Sequence, residues 1–150
     1  MEYADLPEVL SSADFIILSL TLDDKTRGMI NRQALAAMKP TAYLINVARG
    51  ALVDEAAVCD ALAEGRLAGY ATDVFTETPL DADYPLLQFD NVVATPHVAA
   101  ASKRTTRRLV QRAAECATKI LLGQPAPEGC IVNPEVLPVW RGQAEENLDE

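Results

Sequence analysis

Three side chains stand where an extended run gives way to a turn, and together they could move a proton and hold an acid. Arg49 ends Ala42-Tyr43-Leu44-Ile45-Asn46-Val47-Ala48, Asp73 closes Gly69-Tyr70-Ala71-Thr72, and His97 follows Asn91-Val92-Val93-Ala94-Thr95-Pro96. A guanidinium offers a planar fork that matches a carboxylate with parallel charge-assisted bonds. An imidazole titrates near neutral pH and serves as general acid or base. Singly, each has an ordinary structural explanation: a salt bridge for Arg49, a strand-end cap for Asp73, a packed side chain for His97. Their shared placement is what carries information, because ligands of an open parallel sheet collect beyond the carboxyl ends of its strands.

The elements that must present them alternate. Leu6 to Ser12 reads as a short helix with Pro7 in its first turn, and Phe15 to Leu20 is a near-continuous apolar strand of the kind covered on both faces. Asn31 is placed to cap a helix over Arg32 to Met38. Asp54 is placed to cap another over Glu55 to Glu64, with Val58 and Leu62 facing inward and Gly65 as its left-handed stop. Strands near Ala42, Gly69 and Val92 complete an α/β order with right-handed parallel crossovers. Val74 to Asp90 interrupts the pattern, and a connection of that length is more often functional than idle. Ser102 caps a long helix to about Leu122, stopped by Gly123, with an inward stripe of Leu109, Val110, Ala113, Ala117, Ile120 and Leu121. Lys103, Arg104, Arg107 and Arg108 at its start read as a solvated face. Residues 1–123 thus form a partial dinucleotide-binding domain, and 124–150 an extended tail with an acidic end, containing Trp140.

Composition narrows the function. At 49% apolar and 23% charged the chain is globular, and a net charge of -9 disfavours a nucleic-acid surface. No apolar run is long enough to cross a bilayer, and no leader pattern opens the chain. Cys59, Cys116 and Cys130 have no zinc-like spacing and read as free thiols in a reducing cytoplasm, those at 59 and 116 being buried. None of the 7 glycines forms G-x-G-x-x-G, so the first β-α-β unit of a Rossmann-like domain, with its Gly-rich phosphate turn, is missing from this sequence.

Several segments in order, Met38-Lys39-Pro40, Ile45-Asn46-Val47-Ala48-Arg49-Gly50, Val53-Asp54-Glu55, Leu67-Ala68-Gly69, Asp73-Val74-Phe75 and Thr95-Pro96-His97, resemble the carboxyl-terminal part of the D-isomer-specific 2-hydroxyacid dehydrogenases. The resemblance implies a Rossmann-like fold, NAD or NADP as cofactor and a small 2-keto or 2-hydroxy acid as substrate. It makes Arg49 the carboxylate grip and His97 the general acid/base. Asp73 would hold the nicotinamide carboxamide, with Val47, Ala48, Ala99 and Ala100 also near the cofactor. The family usually carries a Glu before the proline of the turn after Asp-Val-Phe, facing the catalytic imidazole; here that place is Thr78, and Glu77, one residue earlier, is the nearest carboxylate. The chain is expected to form a homodimer or to pair with a missing domain. The competing expectation is a truncated, non-catalytic interaction or oligomerisation domain with an open sheet edge near Phe15-Ile16-Ile17.

Overall fold

The computed structural model describes residues 3–133 and residue 135. Trp140 and the acidic end of the tail lie outside the described residues. The chain groups into two compact units, Met1–Ala99 and Ala100–Glu150, where the sequence placed the division after residue 123.

In the first unit the order is α1 (Leu6–Ser12), β1 (Phe15–Leu18), α2 (Arg32–Ala36), β2 (Tyr43–Asn46), α3 (Glu55–Ala63), β3 (Gly69–Thr72) and β4 (Val92–Ala94). The four strands pair in parallel in the order β1-β2-β3-β4. This is the α/β, Rossmann-like sheet expected, and among the described residues no β-α-β unit with a Gly-rich turn precedes β1. The caps are those the sequence announced. Asn31 accepts from the amides of Gln33 and Ala34, Asp54 accepts from the amide of Ala57, and Gly65 closes α3 with φ of +66°.

Leu10, Leu35, Val58 and Leu62 of the helices meet Ile16, Leu18, Leu44 and Tyr70 of the strands in one core. All of that core lies on one face of the sheet. The expectation that β1 is covered on both faces is therefore corrected: Ile16 and Leu18 are buried, but Phe15 and Ile17 are 67% and 63% exposed. Strand residues alternate faces, and α1 to α3 cover only the face of Ile16 and Leu18. β1 is also an edge strand, as expected for Phe15-Ile16-Ile17.

The second unit contains α4 (Lys103–Leu121), capped by the Ser102 hydroxyl, which accepts from the amide of Thr105. Its apolar stripe is present but not inward: no residue of α4 is buried, with Leu109 71% and Leu121 84% exposed. Periodicity marked the stripe; nothing described in its own unit covers it. A second correction concerns the thiols. Cys116 is half-exposed and joined to Cys130 in a disulfide, Cα atoms 6.5 Å apart, because the chain turns back at Gly123 and again at Pro127 to Cys130. Cys59 is the free cysteine, and it is only partly buried.

Candidate active site

Each strand end is bent toward the same rim by local hydrogen bonds. After β2, the Asn46 amide donates to the Arg49 carbonyl at 2.9 Å and accepts from the Ala48 amide at 3.1 Å, which folds the turn and turns Arg49 outward. Arg49 is exposed, and among the described residues its guanidinium makes one bond, to the Ala48 carbonyl at 2.7 Å. Most of its N–H donors are thus uncommitted among the described residues.

After β3, Asp73 is 4% exposed, and its carboxylate gathers the loop that follows β4. Oδ1 accepts from the Thr95 hydroxyl at 2.5 Å and the Val98 amide at 2.8 Å, and Oδ2 accepts from the Ala99 amide at 2.8 Å. Burial alone pushes the Asp73 carboxyl up, but the bonds from Thr95, Ala99 and Val98, with the charge of His97, outweigh it and hold the group below its ordinary value. Between Thr95 and Val98, His97 is carried at φ of +56°, a left-handed conformation uncommon for a residue with a side chain. Its amide donates to the Thr95 carbonyl at 3.0 Å. Such backbone is held only where surrounding contacts over-determine it, and it clusters at functional sites.

The turn after β3 is pinned from two sides. A Cβ built on Gly50 would land on the backbone of Phe75 and Thr76, so only glycine allows the two turns to meet. On the other side Glu55 accepts from the Thr76 amide at 3.1 Å and from the Tyr84 hydroxyl, while Phe75 meets Tyr84 edge to face with centroids 5.7 Å apart. Burial first, then the bond and charge of Glu55, push the Tyr84 phenol above its ordinary range.

A cleft of about 560 Å³ results, walled by Arg49, Asp73, Thr78 and His97, with Val74, Phe75 and Leu80 among its apolar sides. The structure therefore brings together Arg49, Asp73 and His97, and adds Thr78. Glu77 is elsewhere: it lines a separate recess with Glu55, Cys59 and Tyr84. Both residues lie in the bend after β3, and Thr78, not Glu77, shares the cleft with His97. Val47 is exposed and Ala48 buried in the turn ahead of Arg49, and neither lines the cleft. Ala99 enters through its amide alone, and Ala100 falls in the second unit. Sequence reasoning gave no separate role to Asn46, Gly50 or Glu55. Gly50 and Glu55 each had a signal, in a glycine beside a candidate site and an acid opening a helix.

Residues 1–99 match the family described as D-isomer specific 2-hydroxyacid dehydrogenase, NAD binding domain. A glyoxylate reductase of Thermofilum pendens is 43% identical over 139 residues, which is 93% of this chain and 40% of that protein. The NAD complexed form of a D-isomer specific 2-hydroxyacid dehydrogenase from Lactobacillus delbrueckii ssp. bulgaricus matches with a TM-score of 0.76 at 34% identity, over 87% of this chain and 43% of that one. A D-isomer specific 2-hydroxyacid dehydrogenase from Xanthobacter autotrophicus Py2, in complex with NADPH and MES, gives 0.66 at 38%, over 81% and 49%. The chain spans about two fifths of the length of the curated relatives it matches.

Proposed function

The chain belongs to the D-isomer specific 2-hydroxyacid dehydrogenases through their NAD binding domain, and from that premise we propose that it carries the reacting residues of a nicotinamide-dependent oxidoreductase. The reaction interconverts a small 2-keto acid and its D-2-hydroxy acid. The observation that carries this reading is the single cleft walled by Arg49, Asp73 and His97.

Arg49 binds the substrate carboxylate through its uncommitted N–H donors and draws electron density from the neighbouring keto oxygen. His97, as imidazolium, gives its proton to that oxygen as the carbonyl becomes an alcohol, and takes it back in the reverse direction. When bound, a nicotinamide would supply or accept the hydride at C2. Asp73 suits its carboxamide, since among the described residues Oδ2 accepts only one hydrogen bond and keeps acceptor capacity. The apolar walls at Val74, Phe75 and Leu80 limit water and strengthen the charged contacts.

Thr78 stands where a carboxylate would fix a negative charge beside the imidazole, and Glu77 is turned away from it. A hydroxyl can bond the ring without that charge. Residues 1–150 thus supply the nicotinamide end of a cofactor site. The Gly-rich pyrophosphate cradle has no counterpart among the 7 glycines, so these residues alone bind NADH too weakly for micromolar calorimetry. A micromolar dissociation constant would overturn that statement.

Steady-state assays of the complete protein with glyoxylate, hydroxypyruvate and pyruvate, each with NADH and NADPH, test the reading. Turnover lost in Arg49→Ala and His97→Ala supports it; absence of turnover on every 2-keto acid refutes it.

A second reading, a non-catalytic interaction or oligomerisation domain, is favoured by one observation. Among the described residues β1 is an open edge, and two of its own side chains, Phe15 and Ile17, are exposed. Light scattering decides it: a monomer across the micromolar range removes a homodimer built on that edge.

A further inference from the structure

We infer that Asn46 is a positioning residue that sets Arg49 against Asp73, a role that rests on the reading of Arg49 as the carboxylate grip. Asn46 is the last residue of β2 and has no exposed surface. A buried amide is costly unless bonded. Its side chain bonds entirely within the turn that presents Arg49, donating to the Arg49 carbonyl and accepting from the Ala48 amide. Its backbone carbonyl meanwhile accepts from the Asp73 amide at 3.0 Å and the Thr72 hydroxyl at 3.4 Å. One residue is thus bonded to both strand ends that wall the cleft on either side of Gly50.

The side-chain chemistry explains the choice of Asn. The turn needs a donor and an acceptor a fixed distance apart, reached from one Cβ inside a packed sheet. Asp lacks the donor and brings a charge into the core, Ser is too short to reach both groups, and Gln adds a methylene. Among the described residues the Arg49 guanidinium has only the Ala48 carbonyl as a partner. Its placement therefore depends on where its own backbone is held. Misplacing a binding group by about 1 Å can cost on the order of 100-fold in rate.

Two measurements test the inference. In the complete protein, Asn46→Ser should raise the KM for glyoxylate about tenfold and leave the KM for NADH within about twofold. In an Arg49→Lys background the same change should add less than about twofold, because the group it positions is already altered. Equal losses for both substrates, or full additivity with Arg49→Lys, would mean a merely structural role and overturn the inference. The second measurement needs no turnover: oxalate titrated into the full chain, read on the Arg49 Nε–H by 15N-edited NMR. Asn46→Ser should weaken the apparent affinity about tenfold. Asn46→Gln, which keeps the amide on a longer stem, takes its place if the serine variant does not fold. Oxalate binding that depends on Asn46 in a protein without turnover upholds the positioning role and refutes the dehydrogenase reading. Binding unaffected by Asn46, or no response at Arg49 in the unaltered chain, overturns the inference.

Discussion

Gly50 and Phe75 meet backbone to backbone, with no room between them for a single methyl group. The contact joins the turn after β2 to the turn after β3, so the cleft's two walls are set by a residue without a side chain. Gly50→Ala must push Phe75 and Thr76 aside, and overpacking of this kind costs about 1–3 kcal/mol. Urea denaturation of the full chain should show that loss; a change under about 0.5 kcal/mol would mean the turns are free to part.

Asp73 is expected to act as the anchor of residues 95–99. Asp73→Asn puts an amide NH2 or a weaker carbonyl before the Val98 and Ala99 amides, and should destabilise by about 2–3 kcal/mol. The pH dependence has a definite sign. The folded carboxyl lies below its ordinary value of 3.8, so its contribution is full above that value and is lost as pH falls through the folded one. The stability gap between the two proteins should therefore narrow below about pH 4; a constant gap from pH 7 to 3 would contradict the assignment.

His97→Ala should lower turnover of the complete protein by about 100- to 10,000-fold. Thr78→Glu should act oppositely. A carboxylate in the cleft beside the imidazole favours its protonated form, so keto-acid reduction should persist to higher pH. The alkaline limb of the kcat/KM profile should move upward, and an unmoved limb would show that position 78 does not face the reacting proton.

Glu55→Ala removes the acceptor of the Thr76 amide and of the Tyr84 hydroxyl together. Amide exchange at Thr76 should accelerate at least about tenfold, with the Tyr84 phenol titrating at lower pH as the neighbouring negative charge disappears. Glu55→Gln keeps an acceptor without the charge and should recover much of the amide protection. Unchanged exchange in Glu55→Ala would mean that Gly50 alone holds this turn.

Much of the frame was legible because its signals are local. Asn31, Asp54 and Ser102 cap helices by reaching amides two or three residues ahead, and alternation of apolar runs with helical stripes is enough to imply parallel strands. The rim placement of Arg49, Asp73 and His97 followed from topology. What was not legible depends on chain segments far apart in sequence. Asn46 looks like one more residue of a strand until its carbonyl is seen under the Asp73 amide. The Cys116 pairing requires the chain to fold back on α4, and the apolar stripe of that helix says that a face wants cover without saying what covers it. Glu77 and Thr78 are neighbours whose side chains part company only once Gly50 and Glu55 have fixed the turn.

Because β2, β3 and β4 lie side by side in the order in which they are synthesised, the rim reads out the chain as a ruler. The lateral offset between the strands bearing Arg49 and His97 is two strand spacings, roughly 10 Å. That offset is independent of how long the intervening helices and loops are. Lengthening α3 or the segment before β4 would leave it untouched, whereas a one-residue slip of β3 against β2 would turn Asp73 to the wrong face. The chemistry is thereby insulated from most insertions and exposed to errors of register.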